Sequence, residues 1–398
     1  MQLSPDGWLL FATCGIRSFA YGFLSVILGL YLANIGLDAE AIGWVFAAAL
    51  AGGAVMTIVL TTVADRLGRK ELLMLGAVLM ALAGTAFAIS NHFLLLIIAS
   101  VLGTISPSGK EVGPFLSIEQ AILPQTTQDE NRTSVFAAYN LVGSFASALG
   151  ALAVSMVALF NLPSLAGYRL LIWGYVVAAI ILFVLFSCLS PSAEARFFKD
   201  RRVGFGVHRS RLIVAKLASL FALDSFAGGL IVQSLVAYWF HLRYGADTKA
   251  LGSIFFGANL FSALSFLAAP ALARRIGLLN TMVSTHLVSN LMLIAVPFMP
   301  TYGSTIGMFV VRHLLSQLDV PTRQSYTMAV VEPEERAAAA GITSVSRNAA
   351  AALAPIFTGL VVATPALGLP FLLAGGLKIV YDLSIFALFR KVKPPEES

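Results

Sequence analysis

Twelve times along this chain a run of about 20 predominantly apolar residues passes before a short polar stretch interrupts it. The runs lie near 8–33, 41–64, 72–89, 93–122, 133–159 and 168–189, then near 212–240, 250–272, 279–298, 303–330, 337–363 and 370–389. A helix needs that length to cross the roughly 30 Å hydrocarbon core of a bilayer. Inside it, every backbone N–H and C=O must be bonded within the protein, which only helices and closed barrels achieve. A barrel would show alternating ten-residue strands, and this pattern is absent. The sequence therefore predicts an all-α polytopic membrane protein of 12 transmembrane helices. With 58% hydrophobic and 12% charged residues among 398, too little polar surface is left to clothe a soluble protein of this size. The first run is longer than a signal-peptide core, with no basic residue before it, and reads as a retained helix.

The charges mark the boundaries. A sequence pI near 9.4 can signal nucleic-acid binding, but most of these bases sit between the apolar runs, so the bilayer is the expected partner and nucleic acid is not. One side of the membrane collects seventeen Lys and Arg residues, including Arg66, Arg69, Lys70, Arg274, Arg275 and Arg336, against three on the other: Arg169, Arg243 and Lys249. The positive-inside rule then places both termini and the basic stretch 190–211 in the cytoplasm. This predicts an N-terminal bundle at 1–189, a cytoplasmic linker at 190–211 and a C-terminal bundle at 212–398. The expected location is the inner (plasma) membrane of a bacterial or archaeal cell, and the expected state is a monomer. Cys14 and Cys188 fall in apolar runs, the five histidines form no ligand cluster, and no phosphate-binding glycine loop ending in Lys and Ser or Thr is present. Neither a metal nor another cofactor is expected.

The two halves repeat. At a shift of 207, Arg17, Ser18, Phe19, Ala20 and Gly22 meet Asp224, Ser225, Phe226, Ala227 and Gly229, and Pro114 meets Pro321. At 209, Gly36, Asp38, Ala41 and Gly43 meet Gly245, Asp247, Ala250 and Gly252. Two six-helix halves running in the same direction fit a duplication about an axis along the membrane normal.

Between the second and third runs stand Asp65, Arg66, Leu67, Gly68, Arg69 and Lys70. With the two six-helix repeats and the basic linker, this loop resembles the major facilitator superfamily over the whole chain. It matches the signature G-x-x-x-D-R-x-G-R-K except at its first position, where Thr61 replaces glycine. The resemblance implies a secondary active transporter that moves a small-molecule substrate by rocker-switch alternating access. It also implies a gating latch at Asp65, Arg66, Gly68, Arg69 and Lys70. The corresponding loop of the second half, Arg274 to Gly277, lacks the acid. The superfamily's drug antiporters usually carry an arginine early in the fourth helix. Ala99 stands near that position, and Arg312 holds the equivalent place in the tenth.

Eleven charged residues lie within the runs: Arg17, Lys110, Glu111, Glu119, Asp224, Arg312, Asp319, Arg323, Arg347, Lys378 and Asp382. Facing lipid they would cost roughly 30 kcal/mol together, against a folding stability of about 5–15 kcal/mol. They must pair, reach an interface or line a wet cavity. Arg312, Ser316, Asp319 and Arg323 share one face of the tenth run. Lys110 and Glu111 sit among Ser106, Pro107, Ser108, Gly109, Gly113 and Pro114, which should interrupt the fourth. Arg17 and Asp224 are expected to pair across the repeat axis in one conformation and to separate or exchange partners in another, the alternative being a static ion pair; Lys378 and Asp382 are expected to satisfy each other at one-turn spacing, and Glu119 to lie near the cytoplasmic end as a headgroup-level or latch residue. Arg347 is either a substrate anchor or a partner of Asp319. The substrate and coupling candidates are thus Arg17, Lys110, Glu111, Asp224, Arg312, Asp319, Arg323 and Arg347, with Asp224, Asp319 and Glu111 as proton carriers. The guanidinium groups suit an anionic or zwitterionic organic solute. A proton-coupled drug or metabolite efflux antiporter, and a non-transporting sensor or intramembrane enzyme on the same scaffold, are the alternative readings.

Overall fold

A computed structural model describes residues 3–110, 114–127, 132–157, 160, 163–194, 209–332, 335–362 and 368–392. No strand occurs among them. The chain enters α1 (Pro5–Asn34) through Ser4, whose hydroxyl accepts from Gly7 N, with Pro5 at the first position, where its missing N–H costs nothing. There follow α2 (Ala39–Leu67) and α3 (Arg69–Ile89). The fourth span is split into α4 (Phe93–Leu102) and α5 (Phe115–Ile122), and α6 (Arg132–Val157) and α7 (Ser164–Ser187) complete the first half.

In the second half α8 (Arg211–Gly229) and α9 (Gln233–Tyr244) make the seventh span, followed by α10 (Thr248–Ile276) and α11 (Leu278–Ala295). The tenth is α12 (Tyr302–Ser316) and α13 (Asp319–Val330), and α14 (Arg336–Val362) and α15 (Leu369–Phe389) end the chain. The seventh span, read from the sequence as continuous, breaks after Gly228 and Gly229. Thr358 Oγ1 donates to Leu230 O at 2.8 Å, bonding a carbonyl that the interrupted helix no longer uses. Pro114 and Pro321, matched by the repeat, both stand where a broken span restarts: Pro114 just before α5 and Pro321 in the first turn of α13.

Nine of the twelve spans are long and apolar enough to cross a membrane by themselves among the described residues. The fourth, tenth and eleventh fall short, and these three carry Glu119, Arg312, Asp319, Arg323 and Arg347. The spans least suited to lipid are those that hold most of the intramembrane charge, the arrangement expected when polar residues face the protein interior.

Contacts divide the chain into two compact units: Met1–Lys199 with Val232–Phe256, and Asp200–Ile231 with Gly257–Ser398. The same pairings recur in both. In unit 1, α1 packs on α6 and α7, and α3 on α7; in unit 2, α8 packs on α14 and α15, and α11 on α15. The α1–α6 approach depends on Gly22, because a Cβ there would lie 2.1 Å from Ser147 O. Unit 2 packs Leu217, Phe221, Met282, Tyr326, Tyr381 and Phe389 into one apolar cluster.

Candidate functional site

Each unit holds a buried ionic assembly. In unit 1, Arg17 of α1 meets Glu119 of α5 in a bidentate pair, Nη1 to Oε1 at 2.9 Å and Nη2 to Oε2 at 2.7 Å. Both side chains are fully buried. Thr13 Oγ1 donates to Oε1 at 2.8 Å, and Tyr139 donates its phenolic proton to Oε2. Each carboxylate oxygen thus accepts two hydrogen bonds, and the guanidinium lies 4.9 Å from the centre of the Phe115 ring. Charge is balanced and the acceptor sites of Glu119 are filled, as a buried ion pair requires to offset its desolvation. Glu119 is thus buried, two residues before Ala121, whose carbonyl accepts from Arg69 of the signature loop. Arg17 has its carboxylate partner within unit 1.

The break in the fourth span is the second polar feature of unit 1. Thr104 sits at φ 51° and Gly109 at φ 68°, the former a left-handed conformation that costs a non-glycine residue about 1–2 kcal/mol. The carbonyls freed by unwinding are taken by side chains. Tyr175 OH reaches Gly103 O and Thr104 O, Ser106 Oγ donates to Lys110 O at 2.6 Å, and Ser147 Oγ donates to Gly109 O at 3.2 Å. Ser234 of α9 donates through N and Oγ to Pro107 O at 3.0 and 2.9 Å, and its hydroxyl also lies 2.7 Å from Ser25 O. Gln233 Nε2 donates to Ser25 Oγ at 2.8 Å. The interruption expected from Ser106 to Pro114 is thus present, with Lys110 exposed within it. Glu111 lies outside the described residues.

At the signature loop, Gly68 precedes α3 at φ 98°, a conformation open chiefly to glycine. The amides of Arg69 and Lys70 donate to Glu194 at 2.7 and 3.0 Å, so a carboxylate from the segment after α7 caps the positive end of α3. Arg69 Nη1 reaches Ala121 O and Lys70 Nζ reaches Leu189 O. The side chains of Asp65 and Arg66 lie outside the described residues, as do residues 195–208 of the basic linker.

Unit 2 is built differently. Asp224 of α8 accepts from Arg323 Nη1 at 3.0 Å and Lys378 Nζ at 2.5 Å, and His286 Nε2 is 3.7 Å away. Arg323 also meets Asp319, one turn back on α13, at 3.1 Å, and lies over the Phe221 ring. His286 Nδ1 is 2.7 Å from Asp382 Oδ1, whose other oxygen accepts from Asn290 Nδ2 at 2.8 Å. Lys378 and Asp382, expected to satisfy each other, instead bond to different helices: Lys378 to α8 and Asp382 to α11. Arg17 and Asp224, expected to pair in one conformation and exchange partners in another, each have ionic partners inside their own unit. Arg347 donates Nε to Ser225 Oγ at 3.1 Å rather than pairing with Asp319. The stripe Arg312, Ser316, Asp319 and Arg323 is buried throughout but straddles the α12–α13 break.

Among the described residues, unit 2 buries three cations, Arg312, Arg323 and Lys378, and four carboxylates, Asp224, Asp319, Asp382 and Glu335, the last held by the amides of Arg209 and Ser210, while Arg347 is half-buried. Neither Arg312 nor Arg347 makes an ion pair with any described residue. The sequence reading missed His286, Asn290, Tyr139, Gln233 and Ser234 as site residues. Only the four-residue spacing of His286 and Asn290 on α11 hinted at a shared polar face.

Comparison with known proteins agrees with this architecture. The uncharacterized membrane protein YJR124C of Saccharomyces cerevisiae is 28% identical over 97% of this chain and 94% of its own length. The crystal structure of the nucleoside transporter NupG superposes with a TM-score of 0.77 at 18% identity, covering 98% of this chain and all of that one. A D-xylose-proton symporter gives 0.77 at 15%, covering 99% and 98%. The human organic anion transporter MFSD10 gives 0.63 at 16%, covering 96% and 99%. At these identities the structural likeness establishes the 12-helix fold. A relative in yeast gives no support to a bacterial or archaeal origin. The sequence profile of the Major Facilitator Superfamily matches residues 10–318, and the chain belongs to that superfamily.

Proposed function

We propose that this membrane transporter moves a small anionic or zwitterionic organic solute by rocker-switch alternating access, coupled to protons, with its termini and signature loop in the cytoplasm. The observation that carries the reading is Arg312, a buried cation of unit 2 without an ion pair to any described residue. The half-buried Arg347 likewise makes no ion pair with a described residue. A buried charge without a counter-ion is costly, and an arriving anion supplies one. Guanidinium groups match carboxylate geometry better than an ammonium does.

Coupling is assigned to Asp224 and Asp382, which flank the two nitrogens of His286. A neutral imidazole donates one hydrogen bond, whereas a protonated one donates two, so a proton taken up at this triad changes how firmly Asp224 is held. A solute carboxylate that competes for Lys378 and Arg323 loosens the same aspartate. The two events share one residue, which is the requirement for coupling them. In unit 1 the Arg17–Glu119 pair is assigned a structural role, and the loop at Gly68, Arg69 and Lys70 a gating one.

The test is uptake of radiolabelled monocarboxylates, dicarboxylates, amino acids and sugars into proteoliposomes of the purified protein, with and without a pH gradient. The expected result is accumulation of an acid or a zwitterion that collapses when the gradient is dissipated. Flux of neutral sugars alone, or no effect of the gradient, contradicts the reading.

A further inference from the structure

Arg312 stands apart from the network around Asp224. It is on α12, only 7% exposed, and its Nε is buried without a hydrogen-bond partner. No described residue forms a hydrogen bond or ion pair with its guanidinium; the one nearby bond, from Ser289 Oγ at 3.4 Å, goes to the Arg312 backbone carbonyl. Arg323, by contrast, is held by two carboxylates and Lys378 by one. A protein that buries a permanent cation at this depth without a counter-ion either tolerates an uncompensated charge or receives the counter-ion from outside. Ser316, four residues on, is buried on the same face of α12, its hydroxyl held by 3.5 Å contacts to His313 O and Gln317 Nε2.

We propose that Arg312 is the recognition point for the carboxylate or phosphate oxyanion of a small soluble ligand, with the Ser316 hydroxyl as its second donor. The ligand class that fits is a monoanion whose oxygens can take the guanidinium fork side-on. The inference rests on the transport reading only in taking this anion to be the solute, and binding is measurable without any flux. The competing account is structural: the negative end of α12 four residues away would hold the charge, and Arg312 would serve the fold.

Thermal unfolding of the purified full-length protein in micelles separates the two. The protein is titrated with sodium phosphate, sodium acetate or sodium chloride at matched ionic strength, in a buffer whose only other anion is HEPES. The expected result for the wild type is a saturable rise of about 2–5 °C with phosphate or acetate. Arg312→Met should abolish that rise. In the buffer without added anion it should unfold at the same temperature as the wild type or higher, because an uncompensated buried charge has been removed. Arg312→Lys keeps the charge but not the fork, and should show a smaller rise at the same concentrations. The proposal is overturned if the wild type shows no rise, or if Arg312→Met retains it. It is also overturned if Arg312→Met unfolds at lower temperature without added anion, or if only phosphatidylglycerol in the micelle, and neither soluble anion, gives the rise. Absence of flux alongside a normal Arg312-dependent rise would count against the transport reading and leave the anion site standing.

Discussion

Arg17 with Glu119 in unit 1, and Asp224 with its surroundings in unit 2, occupy or adjoin the first helix of each repeat, yet they solve the problem of buried charge in opposite ways. The first is one cation and one carboxylate whose oxygens each accept two hydrogen bonds, so no acceptor is left for anything to join. The second has a carboxylate shared by Arg323, Lys378 and the nearby His286, a buried Arg312 without an ion pair among the described residues, and Asn290 Oδ1 buried without a partner. A closed pair of this kind is costly to break and offers nothing to exchange. An open network has several arrangements of similar energy, which a solute or a proton can redistribute. Under the proposed function the first repeat is the braced half and the second the responsive one.

The largest expected effect breaks the braced side. Glu119→Gln leaves Arg17 charged with its carboxylate removed and should lower stability by about 3–5 kcal/mol, read as a large fall in unfolding temperature and in folded yield. Replacing both partners together, Arg17→Met with Glu119→Leu, should recover most of that loss, because apolar residues of similar volume substitute well for a buried pair. Next comes the responsive side. Asp224→Asn removes the carboxylate that Lys378 and Arg323 share and should reduce gradient-driven uptake in proteoliposomes at least tenfold, about 1.4 kcal/mol or more. Exchange of labelled for unlabelled solute without a gradient should survive better than accumulation.

Smaller effects sharpen the contrast. Arg347→Gln removes a cation whose one hydrogen bond among the described residues goes to Ser225, so stability should stay within about 0.5 kcal/mol while the half-saturating solute concentration rises about tenfold. Ser234→Ala loses the hydroxyl bonds to Ser25 O and Pro107 O and should cost about 1 kcal/mol, detectable as a modest shift in unfolding temperature.

Much of the fold was legible because bilayer physics leaves few choices. Apolar runs of the right length, the repeat that sets Pro114 over Pro321 and the loop at Gly68 to Lys70 all carry their meaning locally. The break in the fourth span was equally readable from Ser106 to Pro114, since Pro and Gly disrupt a helix wherever it packs. The break at Gly229 was not, because it depends on Thr358, more than a hundred residues away, to take the Leu230 carbonyl. Partner choice was the least legible part. Lys378 and Asp382 have the spacing of a mutual pair, but α8 and α11 offer each a partner from another helix, and tertiary contacts decided the outcome. The repeat sets Arg17 against Asp224 at a shift of 207. It carried no information about Glu119, whose counterpart at a shift of 207 is Tyr326, so the two charges found different kinds of partner.

The division of labour between the halves is tested most directly by one flux comparison. Initial rates of uptake of the solute identified in the proteoliposome screen are measured side by side for the wild type, the Arg17→Met/Glu119→Leu double variant and Arg347→Gln, each normalised to folded protein. The double variant should transport within about twofold of the wild type, and Arg347→Gln at subsaturating solute should fall about tenfold. A folded double variant without flux, beside an Arg347→Gln variant that transports normally, would contradict the account by placing solute handling in the half described here as braced.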